Sequence, residues 1–417
     1  MNCQITKRIS LYLFLIGFIA VGILYSSPFV YAVEEVTVGV LLPLSGPVAP
    51  IGRSARQGLD FAVREVNEGG GIKSLGGAKI KLIYADTRGD PKIGMSEAER
   101  LILKDKASVL LGSYQSSVTM TSTQVAEKHK IPYLTLIAVA DDITGRGFKY
   151  VFRANEKASS PAELSIKFFV EIGKQTGKPV KTLGLLYENT EYGQSSAKAW
   201  KQYAKEYGFQ IVLDEPYPHG ITDVTPIILK FKNSNPDVVL NVSYVSDIIL
   251  IVKALAENKW RPKAFYAAGG VENEPQFVQS AGELAEYHFN IFPYSPDLFL
   301  AKPWVRTVDE NFKKEYGVPL SNEPVFAYVD IFILADVLER AGSTDPEKIR
   351  EAFAKTNITE GKALMLPFKK IEFGPDGQNP HARSLVCQWQ NRKIRIVYPP
   401  EFVAPGVKAI WPTPPWD

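Results

Sequence analysis

A strand followed directly by a helix occupies residues 36–72 and constrains the fold more than any other feature of the chain. The strand VTVGVLLPL is almost wholly apolar, an SGP turn follows it, and the amphipathic helix IGRSARQGLDFAVREVN ends in a run of glycines. Strands that are apolar on both faces are typical of parallel sheets covered by helices, and such sheets are built from strand–helix units. The segment therefore predicts the first unit of a doubly wound α/β fold.

The same alternation of short strands and helices continues along the chain and restarts after residue 155. The first part predicts strands at 79–86, 107–111 and 133–136, with helices at 92–104 and 117–130. The second part predicts strands at 182–187, 211–214, 238–242 and 264–267, with helices at 160–176, 192–207, 224–232, 245–258 and 274–281. Alternation of this kind builds right-handed βαβ units, so we expect two doubly wound, Rossmann-like lobes.

The last third of the chain breaks this alternation. Helices are predicted at 298–316, 324–341 and 345–354, and β-rich segments follow at 369–373, 385–390 and 393–398. We interpret this order as a return of the chain to the first lobe and then to the second. The predicted N-terminal lobe is 33–154 plus 290–366, and the predicted C-terminal lobe is 155–289 plus 367–417. Several crossing strands would then form a hinge beside a cleft.

The first 32 residues have the features of an export signal. Lys7 and Arg8 precede an apolar run from Ile9 to Leu24, and a VYA sequence ends at Ala32, as signal peptidase sites often do. We expect cleavage after Ala32 and a periplasmic mature protein. The apolar run is shorter than the roughly 18–20 residues that usually span a membrane, and a retained anchor is the alternative.

Composition excludes some partners. Without the leader, 385 of 417 residues remain, and the net charge falls from +3 to +1 because the leader carries Lys7 and Arg8 and no acidic residue. A nearly neutral chain gives no reason to expect nucleic acid or an anionic membrane surface as a partner. Cys387 would be the remaining cysteine, and its apolar SLVCQW setting predicts a buried side chain without an internal disulfide.

The sequence carries none of the common catalytic motifs. The glycines at 69–71 end a helix, so they do not form a dinucleotide-binding fingerprint. No GxxxxGK[ST], HExxH or GxSxG motif occurs, and the aspartates at 141–142 are interpreted as a solvated loop. The four histidines are scattered without metal-ligand spacing: His129, His219, His288 and His381. We expect a binding protein, not an enzyme, with no metal and no cofactor.

Four segments carry a family resemblance: GVLLPLSGPVAPIGRSARQGLDFAVREVNEGGGI, DTRGDP, LLGSYQSSVT and LLYENTEYG. In this order they resemble type I periplasmic binding proteins, above all the leucine/isoleucine/valine-binding group that serves ABC importers. The resemblance implies a two-lobed receptor, expected as a monomer, that closes on a small-molecule carboxylate and docks on an ABC transporter permease in the inner membrane. A ligand-sensing receptor for amides or other small solutes and an enzyme on the same fold are the alternatives.

The resemblance also implies which residues bind the ligand. A carboxylate is expected at the start of the helix after the third strand, on Ser116 with Ser117 beside it. Free N–H groups and the helix dipole attract an anion there, although Ser116 as a plain helix cap is the alternative. On the second lobe, the family's aromatic positions match Tyr192 and Tyr244, both near carboxyl ends of strands, where doubly wound sheets bind ligands.

Several positions depart from the family pattern. Ile51 stands where a tyrosine commonly follows the first turn, which predicts a more apolar site. After the fourth strand the chain reads Ile137-Ala138-Val139, so the family's hydroxyl is missing at Val139, while Ala138 would still offer its backbone groups. These residues make the expected site less polar than the sites of amino-acid binders.

Gly269 is the most consequential departure, because amino-acid binders of the group carry a glutamate there that pairs with the ligand ammonium. A buried ammonium without a partner costs several kcal/mol. Glu272 lies three residues further on and is interpreted as a solvated surface glutamate. The sequence therefore favours an aromatic or aliphatic carboxylate, and branched-chain or other hydrophobic amino acids remain the alternative ligands.

Overall fold

The computed structural model describes residues 33–269 and 271–415 and contains two α/β lobes, each built on its own sheet. The predicted export signal and its cleavage after Ala32 lie outside the described residues. Within these residues no helix is both long enough and apolar enough to cross a membrane.

The first lobe is built on a five-stranded parallel sheet with the strand order β2-β1-β3-β4-β5. Its strands are β1 (Glu35–Leu42), β2 (Lys79–Asp86), β3 (Val109–Gly112), β4 (Tyr133–Thr135) and β5 (Val151–Arg153). β1 and β3 lie at the centre and are buried on both faces, as the apolar run at 36–44 predicted. The sequence analysis did not predict β5, which has only three residues.

The second lobe is built on a seven-stranded sheet with the order β14-β13-β10-β9-β8-β6-β7. Its strands are β6 (Thr182–Glu188), β7 (Gln210–Tyr217), β8 (Val238–Val242), β9 (Ala264–Ala268), β10 (Phe289–Phe292), β13 (Leu385–Gln390) and β14 (Lys393–Tyr398). β13 and β14 pair antiparallel at one edge, and the other strands are parallel. A separate two-stranded ribbon joins β11 (Asn357–Ile358) to β12 (Ile371–Glu372).

The helices cover the faces of these sheets. They are α1 (Ala49–Glu68), α2 (Pro91–Leu103), α3 (Ser116–His129), α4 (Asp142–Gly145), α5 (Ser159–Thr176), α6 (Glu191–Glu206), α7 (Thr225–Ser234), α8 (Val245–Glu257), α9 (Pro275–Ala281), α10 (Leu298–Ala301), α11 (Trp304–Tyr316), α12 (Asn322–Ala341) and α13 (Pro346–Ala354). The helix predicted at 298–316 is interrupted before Trp304, where Pro303 breaks the helical hydrogen bonding. The doubly wound, two-lobed fold class is confirmed.

Within the described ranges the chain crosses between the lobes three times, after Arg153, after Phe292 and between β12 and β13. α12 returns to the first lobe and packs on α1, where Tyr328 Oη donates to Glu65 Oε2 at 2.8 Å. The predicted lobe boundary at residue 290 is too early, because β10 begins at Phe289 and pairs with β9 and β13 of the second sheet. Cys387 lies on β13 as a fully buried free thiol, as predicted.

Candidate functional site

A mainly apolar cavity lies between the two lobes, at the carboxyl ends of both sheets. Seven of the nine residues expected at the binding site line it: Ser116, Ile137, Ala138, Val139, Tyr192, Tyr244 and Gly269. The carboxyl ends of parallel strands are the usual ligand position in doubly wound folds. The remaining two expected residues, Ser117 and Ile51, do not line the cavity.

The start of α3 gives the cavity a group of hydrogen-bond donors. α3 begins at Ser116, with Gln115 in the N-cap position and no described side chain capping the first turn. In the described chain, no acceptor binds the backbone N–H groups of Ser116, Ser117 or Val118, and the first intrahelical bond is Thr119 N to Gln115 O at 3.0 Å. The Ser116 hydroxyl oxygen accepts from Ala140 N at 3.2 Å, which leaves its proton free to donate.

Ile51 was expected to make the site more apolar, and this expectation is wrong. Ile51 is 3 % exposed and packs in the core of the first lobe. Ala55 and Leu59 follow it at intervals of four residues and are buried as well, so all three share the face of α1 that points to the core. The helical phase of α1 therefore turns Ile51 away from the cavity.

Three tyrosine rings meet in the cleft. Tyr114, which follows β3 in the first lobe, lies 5.6 Å from Tyr244 of the second lobe between ring centroids. Tyr192, in the first turn of α6, lies 5.8 Å from Tyr244 on its other side. Burial raises the pKa of all three phenols, so they stay neutral. The sequence analysis missed Tyr114, although it lies next to the predicted anion site in the segment SYQSS.

Gly269 and Tyr192 depend on each other. Gly269 has a φ of +85°, and a Cβ atom built on it would lie 2.1 Å from Tyr192 Oη. Tyr192 Oη also donates to Ala268 O at 3.3 Å. The space that a side chain at position 269 would need is thus occupied by the Tyr192 hydroxyl, which explains why a glycine is required beside this tyrosine.

Glu272 is not the solvated residue that the sequence analysis expected. It is fully buried in the second lobe, and its Oε1 lies 3.0 Å from His288 Nδ1. The charge partner was not visible in the sequence, because His288 is 16 residues away. Glu272 does not line the cavity, so it cannot replace the missing glutamate of amino-acid binders.

A buried arginine holds the 137–140 loop against the cavity. Arg153 ends β5 with no solvent exposure, and its guanidinium donates to Ala140 O at 2.8 Å, to Ala138 O at 3.3 Å and to Gln378 Oε1 at 2.7 Å. Burial lowers the pKa of Arg153 to about 10, within a range where it stays charged at neutral pH. Because Ala138 N also donates to Ser113 O, both backbone groups of Ala138 are occupied, contrary to the expectation that they serve the ligand.

Comparisons with known proteins agree with this arrangement. A family model described as periplasmic binding protein matches residues 35–393. Leu/Ile/Val-binding protein homolog 7 of Brucella suis is 32 % identical over 376 residues, covering 88 % of this chain and 92 % of that protein. Homolog 8 of Brucella melitensis is 32 % identical over 383 residues, covering 90 % and 93 %. The chain belongs to the type I periplasmic binding proteins of the Leu/Ile/Val-binding group.

Solved structures share the fold of this binding protein. A leucine binding protein LivK from Thermotoga maritima has a TM-score of 0.77 at 22 % identity and covers 87 % of this chain and 98 % of its own. An ABC transporter solute binding protein from R. palustris, in complex with benzoate, has a TM-score of 0.76 at 19 % identity, covering 87 % and 95 %. The family resemblance found in the sequence is confirmed.

The lobes of the binding protein touch across the cleft. Asp141 N of the first lobe donates to Ser195 Oγ on α6 at 3.0 Å, so Asp141 belongs to the lobe contact and is not the solvated residue expected. Asn322 Nδ2, at the start of α12, lies 3.5 Å from Gly269 O. With the tilted ring contact between Tyr114 and Tyr244, these contacts describe a closed arrangement.

Two buried carboxyl groups also meet at this contact. Glu274 precedes α9 in the second lobe, Glu323 lies in the first turn of α12, and both side chains are buried. Burial is the main cause that raises the pKa of both groups, and the charge of Glu323 further raises the pKa of Glu274. Burial and the charge of the neighbouring carboxylate therefore both disfavour the ionised form of Glu274.

No group of three or more His, Cys, Asp or Glu side chains comes together as a possible metal site in the part of the chain that the structure describes. His219 lies 3.1 Å from Asp247 Oδ2, and this hydrogen bond raises the pKa of the histidine. His219 also makes an edge-to-face contact with Tyr244, with ring centroids 4.5 Å apart. The arrangement supports the tyrosine of the cleft and does not form a metal centre.

Proposed function

We propose that the protein is an extracytoplasmic substrate-binding protein of an ABC importer and that it binds a small carboxylate in the cleft by closure of the two lobes. The family is one of substrate-binding proteins. The uncapped start of α3 carries the proposal, because the backbone N–H groups of its first three residues have no described partner and its first residue, Ser116, lines the cavity with a hydroxyl that is free to donate. A helix start of this kind binds anions, and the dipole contributes about 0.3–1 kcal/mol or more where it is partly buried.

We infer an apolar or aromatic body for the ligand. The cavity wall is mainly hydrocarbon and aromatic, and neither lysine nor arginine is among its lining residues within the described chain. A ligand carboxylate would therefore be held by neutral donors, and its body would pack on Tyr192 and Tyr244. The relatives point the same way in part, since solved neighbours hold benzoate, 3,4-dihydroxy benzoic acid, leucine or isoleucine.

The amide of Ser117 gives a direct test. Proline at this second helical position keeps the helix but removes the N–H, whereas Ser117→Ala keeps the N–H and removes only the hydroxyl. We expect Ser117→Pro to weaken binding of the tightest acid in a panel of aliphatic, aromatic and amino acids by about ten-fold or more, as one hydrogen bond to a charged group predicts. Ser117→Ala should bind as the unmodified protein does.

Isothermal titration calorimetry on the mature protein measures both variants. Equal affinities of the proline and alanine variants would refute the anion site. Chromatography of the ligand recovered after incubation tests the second part of the proposal, because a receptor returns the acid unchanged and an enzyme on this fold would convert it. Growth on the acid as carbon source, with and without the protein, tests the importer role in cells.

A further inference from the structure

The cavity does not end at the cleft but continues into the second lobe. Part of its lining comes from α5 and α6, from β9 and β10, and from the two crossing segments beside them. We call this part the inner compartment and define it by Glu156, Pro161, Ala162, Ser196, Trp200, Tyr266, Ile291 and Ser384. Small residues at 162 and 196 on the facing helices leave the space open. A ligand held at Ser116 would extend from the first lobe into this compartment.

The Tyr266 hydroxyl is an unused hydrogen-bonding group in the inner compartment. The side chain is fully buried on β9, and its Oη has no hydrogen-bond partner among the described residues. Ser165 is near, but its hydroxyl donates to Ala162 O at 2.7 Å and accepts from Trp200 Nε1 at 3.0 Å. A buried hydroxyl without a partner is costly, so it indicates a ligand group that completes the bond.

Glu156 places a carboxyl group in the same compartment. It lies in the first crossing segment with 4 % exposure and accepts a hydrogen bond from the Ser384 hydroxyl of the third crossing. Burial raises the pKa of Glu156. Burial is the main cause that raises the pKa of Tyr266, and both side chains line the same cavity. The nearby Arg153 gives its hydrogen bonds to backbone carbonyls, Gln378 and Thr144, and none to Glu156.

We propose that Glu156 and Tyr266 select a carboxylate ligand that carries a hydroxyl group at its opposite end, as a para-hydroxylated aromatic acid does. The ligand hydroxyl donates to the Glu156 carboxyl group and accepts from Tyr266 Oη. The inference rests on the proposed function, since the carboxylate end is assigned to α3. It adds a second polar recognition point in the second lobe.

A hydroxyl group fits this compartment better than an ammonium group. An ammonium has three N–H donors and needs an acceptor for each, whereas a phenol needs one acceptor and one donor. The rest of the wall is hydrocarbon and aromatic ring, from Pro161, Ile291 and Trp200. Burial also favours the neutral form of Glu156, and a neutral carboxyl group is a weak partner for the positive charge of an ammonium group.

Three matched pairs of acids test the proposal at different lengths: benzoate, phenylacetate and 3-phenylpropanoate, each with its 4-hydroxy derivative. Calorimetry gives the affinity ratio within each pair for the mature protein. We expect at least one pair in which the hydroxylated acid binds about ten-fold tighter or more, as a hydrogen bond to a carboxyl group predicts. Glu156→Gln and Tyr266→Phe should each reduce that ratio to about three-fold or less.

Glu163→Gln is the matched control, because Glu163 lies on α5, forms a surface ion pair with Lys167 and does not line the cavity. It should leave the ratio unchanged, and circular dichroism melting checks that every variant is folded. Tyr266→Phe is expected to fold well, since its hydroxyl has no partner to lose in the described chain.

The outcomes separate the two proposals. If none of the six acids binds while another acid of the wider panel does, the assignment of Glu156 and Tyr266 is wrong; if no acid of the wider panel binds either, the proposed carboxylate site is wrong. If acids bind without a preference for the hydroxyl group, or if both variants keep the preference, the assignment of Glu156 and Tyr266 is wrong while the carboxylate site stands. Tighter binding of 4-(aminomethyl)benzoate than of 4-hydroxybenzoate would also overturn it, in favour of an ammonium site.

Discussion

A methyl group added at Gly269 should act on ligand binding mainly through Tyr192. In Gly269→Ala the new Cβ would lie 2.1 Å from Tyr192 Oη, more than 1 Å inside an ordinary contact, so the tyrosine must move. The movement breaks the 3.3 Å hydrogen bond to Ala268 O, which is worth about 0.5–1.5 kcal/mol. An alanine at φ +85° adds roughly 1–2 kcal/mol of backbone strain.

These terms sum to about 1.5–3.5 kcal/mol, so Gly269→Ala should weaken binding of the preferred acid by about 10- to 300-fold. Tyr192→Phe alone loses only the hydrogen bond and should weaken it by about ten-fold or less. In the double variant the clash is relieved, because the nearest remaining ring atom is 3.3 Å from the new Cβ. We therefore expect the double variant to bind at least as tightly as Gly269→Ala.

Calorimetry on the four proteins forms a double-mutant cycle with an expected coupling of about 1 kcal/mol. Strictly additive losses would refute the reasoning, because they would show that the added methyl group does not act through the tyrosine. For the same reason, a glutamate at position 269 should not restore binding of an amino acid in this protein. Its Cβ would collide with the Tyr192 hydroxyl unless the tyrosine moved away.

Two further predictions concern the lobe contact and the hinge. Burial raises the pKa of the Glu274 and Glu323 carboxyl groups, so the closed form binds protons more tightly there than the open form does. Affinity should therefore fall as the pH rises above the ordinary carboxyl value of about 4.5, and calorimetry at several pH values should find this slope flattened in Glu274→Gln. A slope that Glu274→Gln leaves intact would assign it to another group. Arg153→Met removes the hydrogen bonds to Ala140 O and Gln378 Oε1 and leaves two buried acceptors without a partner, which costs about 1–3 kcal/mol for each acceptor. Scanning calorimetry should show a loss of roughly 10 °C in melting temperature. A loss below about 2 °C would contradict the role assigned to Arg153.

The sequence predicted the parts of the site that follow from strand order. Ser116 follows a strand of the first sheet, and Tyr192 and Tyr244 follow strands of the second. Because parallel strands end at one edge of a sheet, the order of the elements places these residues at the ligand-binding edge of each lobe, and the family resemblance implied that the two edges face each other. Ile51 was misassigned because its position was inferred from the family resemblance of the turn. The spacing to Ala55 and Leu59 would have placed it on the core face of α1.

Other residues carried no local signal. Glu156, Ser384 and Tyr266 are far apart in sequence, and only the tertiary structure brings them to one cavity. Glu272 resembled a surface residue, because no neighbouring residue in the sequence indicates that His288 is its hydrogen-bond partner. The hydrogen-bond partners of these buried polar groups come from distant parts of the chain, so they depend on the tertiary structure. The pattern of a single sequence indicates only the local spacing of apolar residues and the residues that favour turns.

The balance of contacts across the cleft explains why closure should depend on the ligand. The lobes share the bond from Asp141 to Ser195, a long contact from Asn322 to Gly269 and the tilted ring pair of Tyr114 and Tyr244, each worth about 1 kcal/mol. Against these stands the burial of Glu274 and Glu323, which raises the pKa of both carboxyl groups and costs free energy at neutral pH. Protein contacts alone therefore do not favour closure strongly. A ligand that bonds to α3 on one lobe and to the tyrosines on the other supplies binding energy that exists only when both lobes are engaged, and this difference in affinity is what shifts a two-state equilibrium.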